Sequence, residues 1–373
     1  MEFNYTEEQE IVKSSLNRFF AEIYDIPKRK SYLAEESGFS QVNWERMAEL
    51  GILGLPFAEA DGGLGGGLPD ILIAMEEIGY SLAIEPYMHS VILPSALIDY
   101  VTPEFDKASF VEEISSGKRI VTFGSAEKGA RFNLANIRTA ARKDGEAYVL
   151  SGAKAAIPYG PSANQIVISA RLTGGDRDES GIALFLLDPK MPGVTLNSFH
   201  LIDGIPACDV ILDDVRLEAS SMIVTPDKGY TALLAIANLA TFAISAEMLG
   251  VLKRMFEKTL EYMQTRVQFG RPLAAKQVVR HRLADMYMHT EQARSAVIGG
   301  ALSAPGSPDW QRSASAAKVR VATAAHFIGK QTIQLHGGIG VTDEYEVSHY
   351  YKRLMSLHVW FGDDKHHAKV LAA

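Results

Sequence analysis

The residues of this chain best suited to chemistry lie in the stretch 262–286, where a glycine and a proline interrupt a long helical run. Arg266, Phe269 and Gln277 bring a cation, an aromatic ring and an amide to this interruption. A guanidinium pairs with phosphate oxygens through a planar fork of donors, so the corner suits a planar ligand that carries phosphate. A helix end with a solvated basic residue has the same spacing, and the stretch alone leaves both interpretations open.

A second candidate ligand contact follows a predicted helix over residues 313–335. Gln334 lies in the last turn of this helix, and the run His336-Gly337-Gly338-Ile339-Gly340 ends it. Glycines at a helix end allow the backbone to approach a ligand closely. An earlier glycine run over residues 62–67 follows no predicted strand and ends in no Lys-Ser or Lys-Thr pair, so it is interpreted as a structural loop.

Carboxylates that could remove a proton from a substrate occur in two places. Glu247 is the only charged residue in the apolar stretch 231–252, where burial should raise its pKa. A buried structural carboxylate bonded to a neighbouring loop is the competing interpretation. Asp363 and Asp364 form the second place, and they could equally cap a final helix.

The stretch 231–252 is also long enough to cross a bilayer. Its polar residues, the absence of interfacial aromatic belts and the lack of a flanking Lys/Arg bias are wrong for a lipid environment. We therefore predict a buried core helix and no membrane span.

Composition narrows the possible functions. The net charge of -8, with no basic tract, argues against nucleic-acid binding. The single Cys208 excludes an internal disulfide and a cysteine metal cluster, and the acidic start is unlike a signal peptide, so a cytoplasmic protein is expected. His358, His366 and His367 show no zinc-type helix motif; we assign them surface or packing roles and expect no metal site.

Hydrophobic periodicity predicts an α+β multidomain protein. An N-terminal α-helical domain over residues 1–117 precedes a middle β domain over 118–226, an antiparallel barrel or sandwich, and a C-terminal α-helical bundle over 227–373. The predicted strands are 120–123, 147–150, 165–169, 182–187, 194–198 and 209–212.

In this order of domains and in its motifs, the chain resembles the acyl-CoA dehydrogenase family, flavoproteins that oxidise the α,β bond of acyl thioesters. The likeness covers essentially the whole chain and is most specific in Arg266-x-x-Phe269-Gly270 with Gln277, and in Gln334-x-x-Gly337-Gly338-x-Gly340. It implies a helical, β-barrel, helical subunit, a dimer-of-dimers tetramer with FAD bound between subunits, and electron-transferring flavoprotein as the electron acceptor.

The resemblance divides the FAD site into two halves. One half grips the adenosine-diphosphate end of FAD held by the neighbouring subunit, and it is matched well here, with arginine for the pyrophosphate, an aromatic beside the cofactor and glycines for backbone contact. The matching residues are Arg266, Phe269, Gln277, Gln334, Gly337 and Gly338.

The other half, which holds the flavin ring and performs the chemistry, departs from the family pattern. The family's Gly-Ser-Asp falls on Arg131-Phe132-Asn133, and its Trp-x-Thr facing the flavin falls on Ala156-Ile157-Pro158. The base of its Tyr-Glu-Gly-Thr falls on Gly362, and an alternative base position in the long helix falls on Ala240. The losses are confined to one half of the site, which indicates a division of labour between chains.

The hypothesis is a subunit of an FAD-dependent α2β2 acyl-CoA dehydrogenase that lacks the base and acts with a paralogous subunit. The family's heterotetramers of this type convert acyl-CoA thioesters with steroid side chains, or other bulky or dicarboxylic chains, to 2-enoyl-CoA. A homomeric dehydrogenase with a relocated base, Glu247 or Asp363, is the first alternative. A non-catalytic scaffold or acyl-CoA-binding subunit without flavin is the second.

Overall fold

The computed structural model describes residues 5–302, 306–307 and 309–373. Helices come first, strands follow and helices return at Gly229, which confirms the predicted α+β order. The α-helices are α1 (Glu7–Ile23), α2 (Ile26–Leu33), α3 (Gln41–Glu49), α4 (Leu68–Ser81), α5 (Leu93–Leu97), α6 (Lys107–Ser115), α7 (Gly229–Thr265), α8 (Gln277–Ala301), α9 (Trp310–His336), α10 (Glu346–Val359) and α11 (Asp364–Ala372). The strands are β1 (Val121–Gly124), β2 (Ala140–Asp144), β3 (Ala147–Pro158), β4 (Gln165–Arg171), β5 (Ile182–Leu187), β6 (Val194–His200), β7 (Pro206–Glu218), β8 (Met222–Val224), β9 (Val267–Gln268) and β10 (Arg271–Pro272).

The chain is divided into two compact units. The first is built from the described residues up to Lys30, together with Leu68–Ala83 and Thr241–Ala373. The second is built from Ser31–Gly67 and Ile84–Ala240. The three domain ranges predicted from the sequence stay predictions.

The second unit contains a sheet whose eight described strands run in the order β6-β7-β3-β2-β4-β5-β8, with β1 beside β4. Most neighbouring strands are antiparallel, as predicted. Strand β1 instead pairs with β4 in parallel, placing Val121 opposite Gln165, and β2 meets β4 in parallel at Ala140 and Arg171. The sheet is therefore mixed where the chain enters it and antiparallel elsewhere.

In the first unit, glycines allow helices α4 and α7 to pack with their backbones in contact. A Cβ atom at Gly79 would collide with the carbonyl oxygen of Glu247, and one at Gly250 would collide with that of Glu76. Larger residues at either glycine would push the helices apart. This contact fixes the position along α7 at which Glu247 is presented.

Helix α7 is the one helix in the described ranges that is long and apolar enough to cross a bilayer, by length and composition. However, 72% of its most apolar stretch is buried inside the protein. A membrane span would turn that surface towards lipid, so the burial supports the prediction of a core helix.

Candidate functional site

The interruption after α7 is a β-hairpin rather than a simple break between helices. Strand β9 pairs antiparallel with β10, and Gln268 lies opposite Arg271. The two residues between the strands, Phe269 and Gly270, have φ angles of 56° and 78°, as a type I′ turn requires. Helix α8 consequently begins only after the hairpin, at Gln277.

Phe269 is held in a conformation that disfavours a side chain. For a residue with a Cβ atom the left-handed region costs about 1–2 kcal/mol. Burial does not offset this cost, because 86% of Phe269 is exposed. The ammonium of Lys276 lies 4.2 Å from the centre of its ring. A strained and exposed aromatic residue indicates a contact with a ligand or a partner chain.

The hairpin and the start of α8 concentrate positive charge. Arg266, Arg271 and Arg280 are exposed, and Lys276 is half-buried. No acidic residue occurs in the sequence between positions 262 and 284. The N-terminus of α8 adds the positive end of its dipole and unpaired N–H groups. This arrangement suits an anionic ligand such as a phosphate ester.

The glycine turn after α9 presents bare backbone. Gly337 has φ 65° and ψ −142°, a combination that glycine alone adopts readily. A Cβ atom at Gly338 would meet no atom within 4 Å, whereas one at Gly340 would lie 2.9 Å from Cβ of His336. Internal packing therefore explains Gly340, but nothing in the described part of the chain requires a glycine at 338. Gln334 is exposed one turn earlier.

Stacked rings connect the end of α7 to the end of α9. Tyr262, near the end of α7, stacks on His336 with ring centres 4.6 Å apart and an angle of 20°. Tyr345 packs against both rings, at 6.1 and 5.2 Å. Burial lowers the pKa of His336, whose Nδ1 lies 2.8 Å from the carbonyl oxygen of Thr332. The ends of α7 and α9, which the hairpin and the glycine turn follow, are thus in contact within the first unit.

The two β-domain stretches that the resemblance assigned to the flavin face lie in the second unit. Ala156 adopts φ 52° at an irregularity of β3, and its N–H donates to Oδ1 of Asp209. Ile157 is buried, and the carbonyl oxygen of Pro158 accepts a hydrogen bond from Thr122. In the preceding loop, Oδ1 of Asn133 accepts from the Ala135 N–H. These residues serve the local backbone and offer neither an aromatic ring nor a hydroxyl at the Trp-x-Thr positions.

Glu247 is engaged in a buried ion pair. Nε and Nη2 of Arg353 both lie 2.6 Å from its Oε1, and the two side chains are 2% and 8% exposed. The guanidinium also stacks over the ring of Trp360, with its carbon 4.9 Å from the ring centre. The burial expected from the sequence is present, but so is a counter-ion that the sequence did not reveal. This geometry agrees with a structural carboxylate, although its partner lies on helix α10 and not on a loop.

A buried lysine adjoins this ion pair. Nζ of Lys318 donates to the carbonyl oxygens of Leu357 and Trp360 at 2.8 and 3.1 Å. Burial lowers the pKa of Lys318 to about 7, although the negative charges of Glu247 and Asp363 oppose this shift. The lysine satisfies carbonyl groups at the end of α10 and thereby shapes the turn that follows.

That turn contains Gly362, the residue at the expected position of the base. Gly362 has φ 118°, and a Cβ atom there would lie 2.6 Å from His366 Cδ2 and from His367 Nε2. Asp363 caps α11, because its Oδ1 accepts the N–H of His366 at 2.8 Å. Asp364 occupies the first turn of the same helix. The alternative base position, Ala240, is fully buried.

The first unit also contains a cavity of about 560 Å³ that none of the predicted site residues lines. It is bounded by residues of α1, α2, α4, α7 and α10 and by loop residues beside them. Its charged groups pair with the protein itself: Lys258 lies 2.8 Å from Glu346, and Arg254 donates to the hydroxyl of Tyr80 at 3.1 Å.

Sequence reasoning missed the stacked rings, Lys276 and the buried cations Arg353 and Lys318. Lys318 could have been found, since the buried residues Ala314, Ala317, Val321 and Ala322 surround it at helical spacing on α9. The pairing of Tyr262 with His336 joins positions 74 apart in sequence (336 − 262), and no local pattern signals it.

Comparison with known families accounts for nearly the whole chain. Residues 6–118 match the acyl-CoA dehydrogenase N-terminal domain, residues 122–215 match its middle domain, and residues 227–373 match its C-terminal domain. The long-chain specific acyl-CoA dehydrogenase of Sus scrofa mitochondria is 31% identical over 356 residues, which cover 93% of this chain and 81% of that protein.

Two solved structures are similar over the full fold. A chain of the ChsE4-ChsE5 complex from Mycobacterium tuberculosis superposes with a TM-score of 0.89 at 25% identity, covering 100% of this chain and 98% of the other. A chain from a variant of the Tcur3481-Tcur3483 steroid ACAD superposes with a TM-score of 0.86 at 28% identity, covering 98% of this chain and 97% of the other.

Proposed function

The chain belongs to the acyl-CoA dehydrogenase family, and on that premise we propose that it is one subunit of a hetero-oligomeric, FAD-dependent acyl-CoA dehydrogenase. In this proposal it holds the adenosine-diphosphate end of FAD, and a paralogous partner supplies the flavin face and the base. The assembled enzyme introduces a double bond between the α and β carbons of an acyl-CoA thioester and yields the 2-enoyl-CoA.

The hairpin and the glycine turn fit the polar end of such a cofactor. Arg266 offers a planar pair of donors to diphosphate oxygens, while the exposed Gln277 and Gln334 offer amides. The open surface at Gly338 lets a ligand approach the backbone. When bound, FAD supplies the hydride acceptor for the oxidation. The part of this chain is to bind and orient it.

Exposed apolar residues around these groups support a site completed by another chain. Val278 is 59% exposed at the start of α8, and Val341 is 68% exposed beside the glycine turn. Phe269 in the hairpin is exposed as well. Apolar surface of this kind beside a charged site is characteristic of a protein interface.

The flavin side does not fit the chemistry, and the surroundings of Gly362 carry the most weight in this proposal. A carboxylate that removes an α-proton must project from the turn towards the substrate. At Gly362 the rings of His366 and His367 occupy the space that a side chain would need. Nor do Ala156 and Pro158 provide the ring or the hydroxyl that the family places against the flavin. Those functions therefore fall to the partner.

The homomeric alternative would need Glu247 or Asp363 as the base. The first carboxylate is paired with Arg353 in the interior, and the second caps α11. Both carboxylates therefore already make structural contacts within the protein. A scaffold that binds no flavin would not explain the strained backbone at Phe269 or the bare backbone at Gly338.

The proposed substrate is an acyl-CoA with a bulky, steroid-derived chain, with a dicarboxylic chain as the second candidate. Support comes from the similar complexes, which are the ChsE4-ChsE5 pair and the Tcur3481-Tcur3483 steroid ACAD. The proposed electron acceptor is electron-transferring flavoprotein.

Purification of the chain alone, and together with a paralogous acyl-CoA dehydrogenase subunit, tests the proposal. The chain alone should retain little flavin and show no dehydrogenation, whereas the co-purified complex should absorb as a flavoprotein and turn over acyl-CoA. An active, FAD-loaded assembly of this chain alone would overturn the proposal in favour of the homomeric enzyme. An active complex whose flavin is unaffected by changes in this chain would favour the scaffold.

The two carboxylates are tested within the same complex. Glu247→Gln and Asp363→Asn keep the size of each side chain, and asparagine still caps a helix. Glu247→Gln removes the counter-ion of Arg353 and should lower stability, but kcat per folded, flavin-loaded complex should stay unchanged in both variants. A loss of kcat by a factor of a hundred or more in either one would identify a base in this chain.

A further inference from the structure

Two histidines and an aspartate converge in the first unit, outside the residues assigned to the cofactor. His326 lies on α9, His358 in the last turn of α10, and Asp364 at the start of α11. Each offers one ligand atom, and these three atoms all lie within 4.8 Å of one another. Three separate helices therefore supply the cluster, and no spacing motif in the sequence reveals it.

Two of the donors are held by the protein and the third is free to adjust. Nε2 of His358 lies 3.5 Å from Oδ1 of Asp364, and both residues are half-buried. The exposed ring of His326 meets the His358 ring edge-on, with centres 4.7 Å apart. Ligands of a tetrahedral zinc ion are separated by roughly 3.3 Å, given metal–ligand distances of about 2.0–2.2 Å. The cluster is wider than a formed zinc site, so binding requires the exposed His326 side chain to move towards the other two ligands.

The donor set selects the class of ion. Two imidazole nitrogens and one carboxylate oxygen suit zinc, nickel or copper, whereas magnesium and calcium prefer ligands that are all oxygen. The ion would enter from the exposed His326 side. The carboxylate of Asp364 supplies the negative charge that a neutral pair of imidazoles lacks.

We propose that His326, His358 and Asp364 form a binding site for a divalent transition-metal ion of the zinc class. The bound ion links α9, α10 and α11 and fixes both ends of the turn that contains Gly362. This role is independent of the proposed cofactor function, because none of the three residues belongs to the hairpin or the glycine turn.

The groups around the three ligands limit the affinity of the site for zinc. Nδ1 of His358 is buried and has no hydrogen-bond partner among the described residues. Ligating histidines normally donate this second N–H to an acceptor, and loss of such a contact typically weakens binding by about 10–100-fold. The nearby ammonium of Lys318 also opposes a cation. We therefore expect micromolar rather than nanomolar binding of zinc.

Thermal unfolding of the full-length protein, with zinc as the probe, tests this site. The protein is purified in its native assembly, stripped with EDTA and transferred to buffer free of chelator. Zinc binding to the folded state should raise the unfolding midpoint by several degrees, and magnesium at the same concentration should not. His326→Ala and Asp364→Asn should each abolish the shift. His200→Ala, which removes an exposed histidine of the second unit, is the matched control and should keep it.

Titration calorimetry of the same proteins gives the second measurement. The wild-type protein should bind one zinc ion more per copy of this chain than either site variant does. Since His326 is exposed and asparagine has the shape of aspartate, both variants should fold and unfold like the wild type in the absence of zinc. The proposal is overturned if zinc lowers or leaves unchanged the wild-type midpoint, or if the variants bind and shift as the wild type does.

Discussion

The ion pair with Arg353 holds the Glu247 carboxylate in place, whereas a carboxylate that removes a proton must reach its substrate. Two guanidinium nitrogens share one carboxylate oxygen at 2.6 Å, in a part of the first unit from which water is largely excluded. Such a pair contributes little net stability compared with apolar residues, but breaking it leaves a charge without its counter-ion. The residue that looked most like a base in the sequence is better explained as half of a structural pair.

Arg353→Met tests this explanation through stability. The free energy of unfolding should fall by about 3–5 kcal/mol, the usual cost of breaking a buried ion pair from one side. Denaturant unfolding at pH 7 measures the loss. The double variant Glu247→Gln with Arg353→Met should lose clearly less, because it removes both charges. Equal losses in the two proteins would contradict an ion-pair origin.

Lys318 predicts a pH dependence of stability. Its pKa is lowered by burial to about 7 in the folded protein, whereas an unfolded chain restores an ordinary lysine pKa of about 10.4. Between these values the unfolded state binds more protons, so the free energy of unfolding rises with pH. The penalty for burying the ammonium is complete below pH 7 and disappears above about pH 10.

Denaturant unfolding of the wild type and of Lys318→Met at pH 7, 8 and 9 checks this sign. The difference between the two proteins should move in favour of the wild type by up to about 1.4 kcal/mol per pH unit. The lost hydrogen bonds to Leu357 and Trp360 displace the whole curve of the variant without changing its slope. Parallel curves would show that the lysine has an ordinary pKa.

At the scale of elements, helices were predictable where a buried stripe repeats over several turns, and short irregular pieces were not. Helix α9 was expected over residues 313–335 and spans Trp310–His336. The hairpin of β9 and β10 was missed because strands of two residues are too short to show a period. Strand β7 extends beyond the predicted residues 209–212, since irregular pairing with β3 disturbs the alternation.

The candidate site, too, could be predicted from the sequence only in part. Arg266 and Gln277 were identifiable from their types and spacing, and in the structure one precedes the hairpin and the other begins α8. The stacking of Tyr262 on His336, which joins the ends of two distant helices, depends on how α7 and α9 meet in the folded chain. Contacts between distant elements are set by tertiary packing, and one sequence does not encode them in a local pattern.

Two glycines of the turn after α9 make a matched pair for testing its role. Gly338→Ala adds a methyl group where no atom of the described chain lies within 4 Å, so the unfolding midpoint should not change. If Gly338 contacts FAD as proposed, that methyl group would face the ligand, and FAD affinity should fall by roughly tenfold or more. Fluorescence of FAD released on dilution measures the affinity.

Gly340→Ala should have the opposite profile. Its methyl group meets His336 and the carbonyl oxygen of Ile333 at 2.9 and 3.2 Å, so a loss of about 1–3 kcal/mol in stability is expected. If Gly338→Ala destabilised the protein as much as Gly340→Ala does, the turn would be glycine-rich for packing alone. The proposed contact with the cofactor would then lose its support.

At the scale of the whole molecule, the evidence for cofactor binding and the evidence against base chemistry fall on different residues of the same chain. The hairpin and the glycine turn keep exposed, strained or bare features that cost stability and are unexplained by internal packing. The turn at Gly362 and the bulge at Ala156 are filled and hydrogen-bonded locally. A subunit that binds one end of a cofactor and leaves the chemistry to a partner reconciles both sets of observations.

This division of labour fixes how much flavin a single substitution removes. If every FAD in the complex depends on the hairpin of this chain, Arg266→Ala should weaken the retention of all the bound flavin by on the order of tenfold or more, because a charge-assisted contact to phosphate is lost. Flavin absorbance after gel filtration, set against subunit content, measures the remaining fraction. Arg142→Ala, at an exposed position of β2, is the control and should retain a full complement. Loss of only half the flavin would mean that the partner's corresponding corner binds FAD as well.

Since Arg266 is assigned to the phosphates, the ratio of kcat/KM between two acyl-CoA substrates should stay constant in the flavin-saturated Arg266→Ala variant. A changed ratio would place the hairpin against the acyl chain instead.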